Sequence, residues 1–468
     1  MVAADTFDRR SSRPAEGVGE LPIHDLAISR VLGWMLTCAA FAALAWRQIG
    51  FVNRYAVNVL FFDQWGFYYP LFHGQGWWET FDRRHGPHRE GVGLVLTRIL
   101  ADLSGWNSRW DAFAVSGVII SSALLALVLM RLCGSRAGSA AALAVPVLFF
   151  NVHQFEAFVG ASNLSHGAMP VFLVLAFCVA CFIRSAGARL TVQSLLAFLL
   201  IFTGFGLFAG LLAPLLFAVE GIQALRDGAR RHALFAAVAL GSVLASWALF
   251  ARGYIFDPAV PDFHFPYERP LQYPVFVGRM IANFFGWATP GAGPAVLGLA
   301  LAGAMVALCV LHAKRCLRSG VMNEPRSAAL FVLAGYEILY CASAAVGRVM
   351  LGESAPLASR YVTLLIPAGL VIVLELSALR PPKAAFWACL LFAAAIAPGS
   401  LMLRSSEMNT VNWYHDIRAT WKAAYLETHD EKEADRRAGF AMYPRPLTYE
   451  LSYLEDHRLN LFEPPANP

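Results

Sequence analysis

The sequence predicts an all-α, polytopic membrane protein of about eleven transmembrane helices, and three observations predict it. Residues of the AVILMFWYC set make up 57% of the chain and DEKR only 15%, too little charge beside the roughly 25% typical of soluble domains. The apolar residues fall into runs near the length of about 20 residues that a span needs. Arginines gather in short turns between those runs, and with a net charge of only +5 that distribution reports topology, not nucleic-acid binding.

Residues 1–25 begin "MVAADTFDRRSSRPAEGVGELP", a polar stretch read as disordered and cytoplasmic. The apolar run from Leu26 to Trp46 is too long for a signal-peptide core and has no small-residue cleavage site behind it, so it stays as the first span. The membrane region 26–403 then places spans near 26–49, 112–133, 139–155, 168–184, 191–206, 207–226, 233–251, 293–313, 327–346, 361–379 and 384–403. Arg9, Arg10, Arg13, Arg131, Arg136, Arg184, Arg189, Arg226, Arg230, Arg231, Lys314, Arg315, Arg318, Arg380 and Lys383 all fall on one side, which the positive-inside rule makes the cytoplasm. The loops 50–111, 252–274 and 347–360 and the tail 404–468 fall opposite, and in a bacterial inner membrane that side is the periplasm.

Residues 275–289, "VFVGRMIANFFGWAT", carry Arg279, Asn283 and Trp287 at four-residue spacing, the pattern of a helix lying in the interface and not a twelfth span. The loop 50–111 is too long for a connector; its "VGLVLTRILADL" at 92–103 places Arg98 and Asp102 one turn apart on a second surface helix. Trp77, Trp78, Trp106 and Trp110 are read as interfacial anchors. In the tail, Trp413, Ile417, Trp421 and Tyr425 recur every four residues, an aromatic face expected to pack on the outer loops as a lid or wall. Cys178 and Cys181 form a CxxC inside "FLVLAFCVACFI", where thiolates have nothing to stabilise them; core packing accounts for them better.

The unusual chemistry lies outside. Asp63 follows "NVLFF" at the end of the first span; partial desolvation there would make it a general base, or it caps the helix starting at Gln64. "RRHGPHREG" supplies His85, His88, Arg89 and Glu90 around a Gly-Pro turn. His88 and Arg89 can donate to a phosphate with Glu90 orienting one of them; a divalent metal on His85, His88 and Glu90, or a plain solvated turn, are the alternatives. "LGESAPLASRYVTLLIPAG" sets Arg360 and Tyr361 at the mouth of a late span, where an arginine snorkels to headgroups or meets an anion. Trp65, Glu156, His264 and Glu268 complete the set as substrate-binding candidates, the last two beside Asp262 in a proline-stiffened loop. Intramembrane Glu156 is functional by default.

These motifs together resemble the C-type glycosyltransferase superfold (GT-C), whose members include the lipid A aminoarabinose transferases and the protein O-mannosyltransferases. "SRYVTLLIP" at 359–367 is similar to the arginine-tyrosine motif that opens a late span in those enzymes, "FDQWGFYYP" at 62–70 resembles their acidic first-loop motif, and "HGPHREG" at 85–91 is like the histidine corner of several bacterial families of this architecture. Many members carry two adjacent acids where this chain has Asp63 alone. The resemblance implies a polyprenyl-phosphate-linked sugar as donor, a lipid or glycan acceptor, transfer on the outer side, and no cofactor beyond a divalent metal in some readings. Asp63 would then be the base, and Arg360 with Tyr361, aided by His88 or Arg89, would hold the departing phosphate. A flippase for a lipid-linked saccharide, or a non-catalytic envelope assembly protein, are the competing classes.

Overall fold

The computed structural model describes residues 23–256, 260, 263–287 and 291–463, with side chains from residue 31 onward. Residues 1–22, expected to be disordered, and Asp262 lie outside the described residues. The chain is an all-α protein with the helices of a multi-pass membrane protein. Among the described residues nine helical segments are long and apolar enough to cross a bilayer: Val31–Tyr55, Arg109–Leu132, Ser139–Val159, Gly204–Arg226, Arg230–Ala251, Ala292–Ser319, Pro325–Leu351, Ser359–Leu376 and Pro382–Leu401. Two shorter apolar helices, Ala168–Ala180 and Ala186–Ile201, stand where the sequence placed two further spans. The first helix runs on to Tyr55, beyond the expected end at 49, because Phe51 and Val52 pack into the main core.

Enclosure separates the helices into two classes. The most apolar stretches of Ser139–Val159, Pro325–Leu351 and Ser359–Leu376 are 78%, 72% and 78% buried, whereas that of Ala292–Ser319 is only 17% buried. The enclosed segments are also the interrupted ones. Ser139–Phe149 gives way to a 3-10 turn at Val152–Gln154, and Ile366–Leu376 is preceded by 3-10 turns at Ser359–Tyr361 and Thr363–Leu365. Non-helical backbone at membrane depth is tolerated only inside protein or along a polar cavity, and these breaks fall in the segments that the protein encloses most.

Side chains hold the first of these breaks, two of them from elsewhere in the chain and two from within it. Arg47 donates to the Phe150 carbonyl at 2.8 Å, Asn151 to Phe284 at 2.9 Å, Gln154 to Phe149 at 2.6 Å and Arg418 to Val159 at 2.6 Å. Opposite, the arginine clusters close the other ends of the helices. Arg189, expected in an open basic turn, is instead buried in an ion pair with Glu220.

The amphipathic helices form where predicted, as Gly91–Ser104 and Gln272–Phe284. Arg98 does not pair with Asp102; it donates to the Gln75 carbonyl at 2.6 Å and lies over the Trp77 ring at 4.3 Å. Arg279 pairs with Glu353 at 3.3 Å, tying the second amphipathic helix to the loop before Arg360. Trp106 is not an interfacial anchor: it is buried against Phe72 at 5.1 Å and Tyr453 at 5.6 Å.

The tail Ser405–Glu463 and the first outer loop share a second apolar cluster that includes Phe61, Trp65, Tyr68, Trp106, Trp421 and Leu454. Along helix Ser405–Thr428, Ile417, Trp421 and Tyr425 are buried while Trp413 stays exposed against Phe440. Trp421 stacks on Tyr425 at 5.1 Å, and its indole N–H donates to Asp435 at 2.7 Å. Trp421→Ala removes a large buried ring and leaves Asp435 short of a partner. It is expected to weaken this outer layer by about 3–5 kcal/mol, read as accelerated limited proteolysis of the segment after Leu403 while the membrane helices stay protected.

Candidate functional site

The hairpin at 84–89 determines which of its side chains can meet. Arg84–His85 and His88–Arg89 pair antiparallel, with His85 opposite His88 and Arg84 opposite Arg89. Gly86, at φ +55, and Pro87 make the two-residue loop, a shape that needs a residue free of the left-handed penalty at its first position. Cross-strand partners share a face and neighbours along a strand alternate. His85 and His88 therefore point one way, and Arg89 points the other.

Arg89 accordingly is no phosphate ligand. It is buried, paired with Asp82, donates to the Phe250 carbonyl at 2.6 Å and lies 5.2 Å over the Phe250 ring. Its charge is spent tying the first outer loop to the end of Arg230–Ala251.

On the other face His85 and His88 meet His166, with ring centroids 5.3 and 5.9 Å apart. Glu90 lies beneath, 1% exposed; it takes His166 Nε2 at 3.0 Å and the Asn163 amide at 3.1 Å. Burial alone would raise the Glu90 carboxyl, but His166, His85 and Asn163 together outweigh it and bring it down to about 2. Desolvation pushes His88 down to about 3, with His166, His85 and Arg348 adding repulsion against the pull of Glu90. Its Nδ1 is buried without a hydrogen-bond partner. His85 is lowered by the same burial, opposed by Glu90 and Asp63.

This arrangement requires close backbone approach. Gly91 (φ +50) abuts Phe202 and Gly204 (φ +50) abuts Ser165; an added Cβ would lie 2.2 Å from the Phe202 carbonyl oxygen and 1.8 Å from that of Ser165. Ser165 also donates to the Glu90 carbonyl. Glu90 is thus an internal positioning group and not a surface contact for substrate.

Asp63 sits at the start of the short helix Gln64–Phe67, yet its side chain makes no cap hydrogen bond. Its carboxylate is exposed, which differs from the partly desolvated setting expected, because the aromatic residues around it turn into the second apolar cluster beneath. Trp65 goes with them: it is fully buried and stacked on Phe72 at 6.2 Å, a packing residue and not a substrate platform. Phe62, immediately before Asp63, has φ +51 and stacks on Phe440 at 5.7 Å. A bulky residue held at positive φ is strained, and here the strain accompanies the exposure of the neighbouring carboxylate.

Arg360 and Arg348 flank one ring, their guanidinium carbons 5.8 and 5.9 Å from the Tyr361 centroid. Neither enters an ion pair among the described residues. Arg348, at the outer end of Pro325–Arg348, was missed in the sequence reading, although an arginine ending an apolar helix is the same signal that drew attention to Arg360. Glu156 is half-buried and accepts from the Arg360 backbone N–H at 2.9 Å and from the Tyr414 hydroxyl at 3.0 Å. Tyr361 is buried with its hydroxyl unpartnered.

These contacts close a circuit. Asp63 acts on His85, His85 and His88 meet at His166, and His88 feels Arg348. Arg348 and Arg360 share Tyr361, Arg360 leads through Glu156 to Tyr414, and Tyr414 meets Phe61 at 5.7 Å beside Asp63. His264 and Glu268 lie exposed on the 252–271 loop, which instead gives Tyr267 and Arg269 to a cleft of about 140 Å³ lined also by Phe276 and Val349. Among the described residues no three of His, Cys, Asp and Glu converge to hold a metal ion; the grouping of His85, His88 and Glu90 fails because Glu90 is engaged by His166.

The buried groups make the corner acid-labile. His88 is held neutral below its unfolded value near 6.5, so its contribution is full above that pH and declines as pH falls toward about 3. Glu90, depressed to about 2, contributes fully above its ordinary value near 4.5 and loses that contribution as pH falls through it. Melting temperature is expected to fall from pH 7 to pH 5 chiefly through the histidines, each worth up to about 1.4 kcal/mol per pH unit. His88→Gln should flatten that slope, whereas Glu90→Gln should destabilise at every pH above about 4.5. No family model matches the chain, and no curated protein matches it.

Proposed function

We propose that this chain is a membrane glycosyltransferase of GT-C type, with eleven spans once the two shorter apolar helices are counted. It would move a sugar from a polyprenyl-phosphate donor to a lipid or glycan acceptor on the periplasmic side of a bacterial inner membrane, with its N-terminus in the cytoplasm and its C-terminus in the periplasm. The observation that carries the reading is the linked set of side chains, in which the exposed Asp63 carboxylate connects through His85, His166 and His88 to Arg348, and Arg348 shares the Tyr361 ring with Arg360.

In this reading Arg360 and Arg348 take the phosphate of the donor, and Tyr361 between them fixes their separation. The acceptor oxygen attacks the anomeric carbon and forms the new C–O bond. The bond from that carbon to the phosphate oxygen breaks, and its electron pair leaves with the phosphate. The acceptor proton passes to Asp63. The arginines lower the barrier because negative charge on the phosphate grows as it departs, and the effect is strongest where water is thin. Glu90 holds His166, and the histidine face closes the side of the mouth between Asp63 and Arg348.

The exposure of Asp63 favours a second reading, a flippase for a lipid-linked saccharide, since binding cations would suffice there and no desolvated base is needed. Purified protein assayed with labelled polyprenyl-phosphate sugars separates the two. Asp63→Asn is expected to cut turnover by roughly 10²–10⁴-fold with donor binding intact, and Arg348→Ala or Arg360→Ala to weaken donor binding. Donor binding with no turnover, unchanged in Asp63→Asn, would move the assignment to transport.

A further inference from the structure

At the arginine-rich ends of the helices, away from the Asp63 mouth, a second cleft opens between Ala186–Ile201 and Arg230–Ala251, and we propose that it binds the headgroup of an anionic phospholipid. The cleft holds about 400 Å³. Its floor is apolar, from Ala186, Gly187 and Phe235, and its rim is cationic, from Arg230, Arg231 and His232. At Gly187 the Phe235 ring lies 3.4 Å from where a Cβ would stand, so the floor is shallow and a longer side chain there would fill it.

The rim carries surplus positive charge. The acid in contact with it is Glu220, which is already taken by buried Arg189 and by His232 Nε2 at 2.5 Å. Arg230 and Arg231 are exposed and enter no ion pair among the described residues. Arg231 lies 5.7 Å over the Phe235 ring, so the guanidinium is held at the boundary between rim and floor. An anion there meets two exposed cations without displacing an existing carboxylate.

Apolar surface then continues from the cleft along both helices. Val192 and Leu195 are 38% and 60% exposed on one helix, and Leu234 and Val238 are 64% and 62% exposed on the other. Each pair sits three or four residues apart, on one helical face. A free phosphate would use the rim and gain nothing from the floor or from this furrow. A phospholipid uses all three: phosphate on the arginines, glycerol backbone in the cleft, acyl chains down the furrow. Basic pockets between helix ends are where such headgroups are read.

The test uses the full chain in detergent and native mass spectrometry with phosphatidylglycerol and phosphatidylcholine. Wild type is expected to retain phosphatidylglycerol over phosphatidylcholine. The double variant Arg230→Gln, Arg231→Gln is expected to lower phosphatidylglycerol affinity roughly 30-fold, about fivefold per arginine, with phosphatidylcholine unaffected. Gly187→Leu keeps both arginines but fills the floor, and should produce a comparable loss. Arg226→Gln with Arg318→Gln, which removes charge from the same face outside the cleft, should leave retention within about twofold. Equal retention of the two lipids, full retention by both cleft variants, or an equal loss in the Arg226 and Arg318 control would overturn the proposal. Displacement of the lipid by glycerol phosphate at matched concentration would overturn it too, in favour of a soluble phosphate ligand. None of these readouts depends on sugar transfer.

Discussion

Backbone that leaves helical geometry at membrane depth must find every hydrogen bond inside the protein, and the rest of this structure depends on how that is done. Three side chains donate to carbonyls of the break around residues 149–160, Arg47 from the first helix, Gln154 from within it and Arg418 from the tail, while Asn151 reaches out of it to the Phe284 carbonyl. The two arginines come from elements far apart in sequence, the first helix and the tail, so the break is held from both. Each carbonyl left bare would cost several kcal/mol in hydrocarbon. The tail is consequently part of the membrane fold's hydrogen-bond accounting, even though it lies outside the spans. The same contacts fix the mouth, because Glu156 belongs to this break and receives the Arg360 amide directly.

The second organising element is the alternation of the short hairpin. A two-residue loop forces His85 and His88 onto one face and Arg89 onto the other. One face becomes the wall of the mouth; the other becomes an anchor on Phe250. The histidines would be costly in so buried a corner if charged, and Glu90 would be costlier still without partners. The structure resolves both costs by making His166 the common neighbour, in contact with the carboxylate on one side and with the two other rings on the other.

Much of the architecture was legible in the sequence because it is written in long apolar runs and their arginine-rich turns, where composition and period suffice. The two surface helices were legible for the same reason, since an amphipathic face repeats every turn. The errors have a common origin in local pattern giving way to tertiary neighbours. Arg89 looked equivalent to His88 because the sequence shows adjacency and not strand alternation. Trp65 and Trp106 looked like surface aromatics because the tail that buries them lies more than 300 residues away. Arg348 escaped notice because its importance comes from sharing Tyr361 with Arg360, a contact across a 3-10 turn that no period announces. Asp63 was placed at the mouth by its position after the first span, but its exposure depends on Phe62 taking a backbone conformation that its residue type does not favour.

Comparison of the arginines gives the strongest argument about where a ligand belongs. Arg89, Arg189, Arg279, Arg326 and Arg404 are each paired with a carboxylate. Arg47 and Arg418 lack one, but backbone carbonyls absorb their donors. Arg348 and Arg360 enter no direct ion pair among the described residues: they flank a common aromatic ring, with the Glu156 carboxylate acting on Arg360 alone. Glu156 supports the charge of Arg360, whereas Arg348 enters no ion pair among the described residues, so the two together keep surplus positive charge beside one ring. An anionic group beside that ring would meet this surplus charge and give the Tyr361 hydroxyl an acceptor in one step. A phosphate has that charge and those acceptors, which is why the proposed reading sets the donor's phosphate at this pair.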